Sequence, residues 1–322
     1  MQKLLYLSQQ EVAAVRVTMA EVIAALKEMF REKGAGRIEM PPKRGIHPSQ
    51  DAFIHAMPAY IPRMQAAGVK WVSAYPQNRL RGLPYINGLL ILNDAETGMP
   101  LCVMDAAWIT AKRTGAATAI AASYLARPSS AVVGMLGCGV QGRSNLEALA
   151  EVFRLQKVIA YDPDHKAAKR YCQEMSEQFA LEAICADEPR QAVSGCDIVV
   201  TAGPILKVPH ASIQAGWLDE GAFAATVDFD SYWHPAAMRE VDKFCTDDTP
   251  QFAHYQELGR FQGAPAVYAD LGELVSQKVS GRENDRERTM SCNLGLAAED
   301  VAGARQVYNR ALDKGLGTWL SL

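Results

Sequence analysis

Gly137-Cys138-Gly139-Val140-Gln141-Gly142 is a G-x-G-x-x-G run, and at a strand-to-helix junction such a run cradles the pyrophosphate of a dinucleotide. Gly137 permits the tight turn, Gly139 lets the backbone approach the phosphates, and Gly142 allows close packing of helix on strand. The helix N-terminus that follows supplies N–H donors for the anion. Asp162 stands twenty residues beyond Gly142, where a carboxylate accepts hydrogen bonds from ribose hydroxyls and repels a 2′-phosphate, favouring NAD(H) over NADP(H). The competing reading is a glycine turn that packs a helix without a ligand, with Asp162 a turn former. A second feature is a pair of cations, Lys70 within residues 68–76 and Arg113 within residues 109–117, each interrupting a largely apolar segment. Each either snorkels or forms a structural ion pair, or, if two domains face each other across a cleft, the two hold a substrate carboxylate, Arg113 bidentately.

Such residues need elements to position them. The glycine run lies in an alternation of apolar strands (131–136, 157–161, 197–201) with helices reaching about 153 and 179, a pattern that predicts an α/β fold with a parallel, doubly wound sheet. Ahead of it, residues 1–37 carry two capping boxes, Ser8-x-x-Glu11 and Thr18-x-x-Glu21, each opening a helix. The second helix places Val22, Ala25, Leu26 and Met29 on one face and stops at Gly34. Between 38 and 104, eight prolines punctuate short apolar segments, which reads as a turn-rich sheet. A Thr/Ala-rich helix over 109–125 is broken by Pro128-Ser129-Ser130, and the domain boundary is placed there. The polar stretch 281–288 reads as a solvated loop, and a last helix from about Ala297 crosses back to the first domain.

The 322 residues suffice for about two domains. Thirty-three basic against 36 acidic side chains, a net charge of −3 and no basic run leave no electrostatic footprint for nucleic acid. A small-molecule partner is expected instead. Seven scattered cysteines without a C-x-x-C pair indicate neither a disulfide framework nor a zinc ribbon, and the histidines lack metal-ligand spacing, so no metal is expected. The N-terminal residues lack the apolar core of a signal peptide and no apolar run nears the roughly 18 residues of a membrane span. A cytoplasmic protein is the resulting expectation.

A resemblance covers nearly the whole chain in order. Met57-Pro58-Ala59-Tyr60, Gly68-Val69-Lys70, Tyr75-Pro76-Gln77-Asn78, Gly82-Leu83-Pro84, Thr97-Gly98-Met99-Pro100, Ile109-Thr110-x-x-Arg113-Thr114-x-Ala116, the glycine run, Asp270-Leu271-Gly272-Glu273-Leu274 and Gly295-Leu-Ala-x-Glu299-Asp300-Val301 resemble the ornithine cyclodeaminase/mu-crystallin family. The resemblance implies a substrate-binding and dimerisation domain of mixed α+β type, residues 1–127 plus 301–322, completed by the C-terminal helix, and an NAD-binding Rossmann domain, residues 128–300. It implies hydride exchange between nicotinamide and the Cα of a small α-amino or α-imino acid, in a homodimer, with a cyclodeaminase or a non-catalytic binding protein as alternatives.

By motif matching, Arg44, Lys70 and Arg113 fall at positions that bind the substrate carboxylate, Lys70 also among the catalytic ones. Thr114, Val140, Gln141, Asp162 and Thr201 fall at cofactor contacts. The acid/base position is matched by Asp228 in Thr226-Val227-Asp228, with Asp230 as a competitor on the same face of an extended strand. Three departures stand out. His55 replaces a Glu that holds the second amine of diamino acids, and a His, titrating near neutrality, suits an acidic or neutral polar side chain or a purely structural place. Asp230-Ser231-Tyr232-Trp233-His234-Pro235 replaces a Gly-Lys-x-Glu element. Asn293 stands where a Ser-containing version is common, either bonding the cofactor amide or inert.

Overall fold

The computed structural model describes residues 2–322. Both capping boxes form: Glu11 and Glu21 reach back to the amides of Ser8 and Thr18 while the Ser8 and Thr18 hydroxyls accept from the amides of Glu11 and Glu21, so two amides at each helix start are satisfied. In chain order the first part holds β1 (Lys3–Leu7), α1 (Gln9–Ala14), α2 (Met19–Gly34), β2 (Arg44–Ser49), β3 (Ala52–Ile61), β4 (Ala66–Ala74), β5 (Ile86–Asn93), β6 (Pro100–Asp105) and α3 (Ala107–Leu125). There follow β7 (Val132–Leu136), α4 (Val140–Ala150), β8 (Lys157–Tyr161), α5 (His165–Phe179), β9 (Glu182–Cys185), β10 (Ile198–Thr201), β11 (Phe223–Thr226), α6 (Pro235–Met238), β12 (Lys243–Thr246), α7 (Thr249–Glu257), β13 (Ala269–Asp270), α8 (Leu271–Val275) and β14 (Thr289–Cys292). The chain closes with α9 (Ala297–Lys314) and β15 (Thr318–Ser321).

Two compact units result, Met1–Arg113 with Leu296–Leu322, and Thr114–Gly295. The division precedes the expected boundaries at 127/128 and 300/301, for a physical reason. Pro128 ends α3, but the second half of that helix already belongs to the second unit: Leu125 O accepts from Thr289 Oγ1 at 2.7 Å and from Arg282 Nε at 2.7 Å. A Cβ on Gly115 would meet Ser144 O at 2.3 Å. A run of small apolar residues in this helix is buried on nearly every side, as a core helix must be.

The first unit is a mixed sheet ordered β15-β1-β6-β5-β4-β3-β2, antiparallel except for β1 with β6, with α9 packed on β3, β4, β5 and α2. One face is buried (Met57, Val72, Leu90, Leu92, Met104), and the other exposes Trp71, Leu89 and Ile91 at 51%, 48% and 38%. The alternation along each strand produces this split.

The second unit is an all-parallel sheet ordered β13-β12-β14-β11-β10-β7-β8-β9. Its central strands β10, β11, β12 and β14 are buried along their whole length and mostly apolar, as helices on both faces require. Chain order reverses between β7 and β10, and ligands of doubly wound sheets settle at such a switch point, beyond the strand C-termini. No helix among the described residues is long and apolar enough to cross a membrane.

Candidate active site

The glycine run closes the turn from β7 into α4, and its three glycines differ in what they face. Gly137 has φ +106, and a Cβ there would meet Ala202 O at 2.6 Å, so no other residue fits. A Cβ on Gly142 would meet Gly137 O at 2.3 Å, which makes it the packing glycine. Around Gly139 there is nothing within 4 Å. It caps α4 without a side-chain acceptor, leaving the first amides of the helix for an anion. Val140, the first residue of α4, is 67% exposed, and the buried Oε1 of Gln141 has no hydrogen-bond partner. Asp162, after β8, accepts from the amides of Cys138 and Asp164, both at 2.9 Å, which ties the carboxylate to the glycine turn. An open phosphate cradle, free helix amides and a carboxylate at the end of the second strand fit a dinucleotide with an unsubstituted 2′-hydroxyl.

Farther along the same C-terminal edge lies Asp228. Its carboxylate is fully buried; Oδ1 accepts from Thr201 Oγ1 at 2.7 Å and Oδ2 from the Gly203 amide at 2.9 Å. Burial pushes its pKa up to about 7, partly opposed by the Thr201 and Gly203 hydrogen bonds and reinforced by the nearby charge of Asp230. A carboxyl group that titrates there can both take and return a proton at neutral pH.

The expectation that Asp230 shares a strand face with Asp228 is corrected. β11 stops at Thr226, and Phe229 adopts a left-handed conformation with φ 63, so the chain swivels between the two acids. Asp230 is sent away to accept from the Phe261 amide at 2.7 Å, with Arg260 at 4.0 Å. A bulky residue at positive φ costs about 1–3 kcal/mol, offset here by packing of the Phe229 ring on Tyr255 and Phe261 at centroid distances of 4.9 and 5.6 Å. The Thr201 hydroxyl, expected at the cofactor, is committed to Asp228 and to Trp233 Nε1, which donates to it at 3.2 Å. Asn293 follows β14 and is held at both ends, accepting from Ser291 Oγ at 2.8 Å and donating to Thr118 Oγ1 at 3.4 Å. Thr114 is buried on α3.

In the first unit, Lys70 and Arg113 come together in a buried ionic cluster. Lys70 Nζ lies 2.6 Å from Asp300 and donates to Thr110 Oγ1 at 3.3 Å. Arg113 reaches Asp300 Oδ1 at 3.1 Å and Glu299 Oε2 at 3.0 Å. Burial lowers the Lys70 pKa to about 7 against the opposing pull of Asp300, and Arg113 lowers it further. The two anions, from the first turn of α9, are members of this cluster to which the sequence motifs gave no role. Their signal was present in the closing motif, but two acids at a helix start read equally well as dipole partners.

Arg44 is not brought to this cluster. It pairs with Ala56, which pairs with Trp71, so it lies on the exposed face, whereas Lys70 pairs with Met57 on the buried one. Adjacent strand residues point to opposite faces. The preceding residue, Lys43, is the cation whose charge is felt at both His55 and Lys70. His55 does sit on the Lys70 face, stacked on Phe53 at 4.1 Å. Burial, helped by Lys43, lowers its pKa to about 3, so it is neutral near pH 7 and does not titrate there as expected. Among the described residues no group of three His, Cys, Asp or Glu side chains is placed to hold a metal, and the seven cysteines are unpaired.

A parallel sheet with a reversal of strand order, a glycine turn at its first strand and a buried carboxylate on the same edge defines a Rossmann-type dinucleotide-binding domain, joined in one chain to a mixed sheet with a buried charge cluster. The chain belongs to the ornithine cyclodeaminase/mu-crystallin family, whose pattern matches residues 3–315. It is 38% identical to alanine dehydrogenase of Archaeoglobus fulgidus over 98% of this chain and 97% of that one. Among solved structures, the Δ1-pyrroline-2-carboxylate reductase of Thermococcus litoralis with NADH and L-proline is 33% identical with a TM-score of 0.89, covering 98% of this chain and 99% of that one. An archaeal alanine dehydrogenase dimer with bound NAD is 35% identical, with a TM-score of 0.89 and full coverage of both chains.

Proposed function

We propose that this protein is an NAD(H)-dependent oxidoreductase that acts on the carbon–nitrogen bond of a small α-imino or α-amino acid. The observation that carries the reading is Asp228, a buried carboxylate with a pKa of about 7 on the strand edge that also bears the glycine turn. When bound, NAD(H) supplies hydride exchange at the nicotinamide. Residues 137–142 and the start of α4 bind its phosphates, and Asp162 binds the ribose hydroxyls. Lys70 and Arg113 hold the substrate carboxylate, and Glu299 and Asp300 fix the positions of the two cations. Asp228 delivers a proton to the nitrogen in reduction and removes one in oxidation.

A neutral His55 gives no anionic partner to a side-chain ammonium, which favours a small or neutral substrate over a diamino acid. An NADH-oxidation screen with pyruvate, oxaloacetate, glyoxylate and cyclic imines, with and without ammonium or methylamine, tests the reading. NADH consumption that requires an imine, or a keto acid with an amine, supports it. Ammonia release from ornithine or lysine without net change in NADH overturns it in favour of a cyclodeaminase.

We also propose a homodimer formed through the exposed face of the first unit's sheet. Trp71, Leu89 and Ile91 lie on one exposed face of neighbouring strands, an apolar grouping of the kind that interfaces use, and a relative of full coverage is described as a dimer. The unpaired thiols suit a reducing, cytoplasmic compartment.

A further inference from the structure

We propose that Trp233 is a positioning residue: through its indole N–H it sets the direction of the Thr201 hydroxyl, and thereby keeps that hydroxyl donating to Oδ1 of Asp228. The inference rests on the role of Asp228 given above and adds to it a residue from the Asp230-to-Pro235 segment.

Trp233 is buried and anchored on both sides, since the amide of Ile213 donates to Tyr232 O at 2.8 Å and the amide of His234 donates to Ile213 O at 3.0 Å. Its ring nitrogen points at Thr201 Oγ1, 3.2 Å away. An indole N–H donates only, and a hydroxyl has one hydrogen to give. With one lone pair of Oγ1 occupied by Trp233, the Thr201 hydrogen is directed to Asp228 Oδ1 at 2.7 Å. The Gly203 amide occupies Oδ2, and a Cβ on Gly203 would strike the Tyr232 ring at 2.6 Å, so this amide is fixed by the same segment. Donation from Trp233 to Thr201 and from Thr201 to Asp228 favours the ionised carboxylate. Asp230 and the Cys292 thiol are the other titratable groups whose fields couple to Asp228.

The test is the titration of Asp228 in the cofactor-free protein, followed through its carboxyl stretch in 13C-aspartate-edited infrared spectra, with D228N identifying the band. Trp233→Phe should raise the midpoint by about 0.4–1 pH unit, the worth of one hydrogen bond. Thr201→Val should raise it at least as far, Thr201→Ser should restore it, and the Trp233→Phe/Thr201→Val pair should shift no further than Thr201→Val alone. If Trp233→Phe does not fold, benzothienylalanine at position 233 keeps the bicyclic shape without the N–H and should give the same shift. An unchanged midpoint in the folded variant overturns the proposal and leaves Trp233 as core filling. Because this readout needs neither substrate nor NADH, it fails or succeeds independently of the activity screen. Where activity is present, the pH limb of kcat/KM should move with the spectroscopic midpoint.

Discussion

Asp228 and Lys70 both titrate near neutrality, but from opposite directions, and each shift has a consequence for activity or stability. Imine reduction needs Asp228 protonated, so kcat/KM for reduction should fall as pH rises through about 7. Asp228→Asn should lower kcat by about 10²–10⁴-fold while NADH binding, followed by fluorescence, stays within about twofold. The same carboxylate is linked to stability. Its folded pKa is raised from 3.8 to about 7, so its favourable contribution is complete below about pH 4 and is lost as pH rises through 7. Relative to the native protein, Asp228→Asn should therefore gain stability between pH 4 and 8, by an amount on the order of 2–4 kcal/mol in denaturant unfolding. For Lys70, fully buried against Asp300, truncation carries a large cost. Lys70→Met leaves part of the Asp300 charge buried and uncompensated, at a cost of about 3–5 kcal/mol. The sequence singled out Lys70, Arg113 and Asp228 because each lies in a segment that resembles a family motif, and the structure places the two cations in one cluster and the carboxylate in the core beyond β11. The assignment of Arg44 failed where a one-residue step on a strand decides the face, and that of Asp230 failed because a left-handed Phe229 leaves no mark in a sequence.

At the scale of the element, the glycine turn separates binding from folding. Gly139→Ala meets open space at an ordinary φ, so the variant should fold with stability within about 1 kcal/mol of the native protein. NADH affinity, however, should fall at least about tenfold, because the new methyl group occupies the phosphate cradle. Gly142→Ala instead places its Cβ 2.3 Å from Gly137 O and should lose about 1–3 kcal/mol in thermal unfolding. Equal loss of stability in both variants would contradict this division of roles. The strand and helix alternation around the turn was readable because parallel strands buried on both faces form short uninterrupted apolar runs. What was not readable was that α3 continues through the unit boundary, since proline marks where a helix ends and not which core the helix serves.

For the whole molecule, the exposed sheet face makes a prediction about assembly. Leu89→Arg should convert a dimer of 35.1 kDa chains into monomers in sedimentation experiments, since a charge buried in an apolar interface is unpaired. A native protein that sediments as a monomer would remove the dimer proposal without touching the site assignments. Local alternation announced the parallel sheet, and the return of the last helix to the first unit was expected from the family motifs, whereas the pairing of β15 with β1, more than 300 residues apart in the chain, left no local mark.

That closure has a consequence for synthesis. The anions that neutralise Lys70 and Arg113 lie at Glu299 and Asp300, so they leave the ribosome only after the entire second unit has been made. The second unit is contiguous and can fold while the chain is still growing. The first unit meanwhile carries two cations destined for burial and lacks the helix that answers them. Its sheet is thus kept from completing until residues 296–322 have been made, and a released chain truncated at Gly295 should be cut by protease in residues 1–113 and spared in residues 114–295.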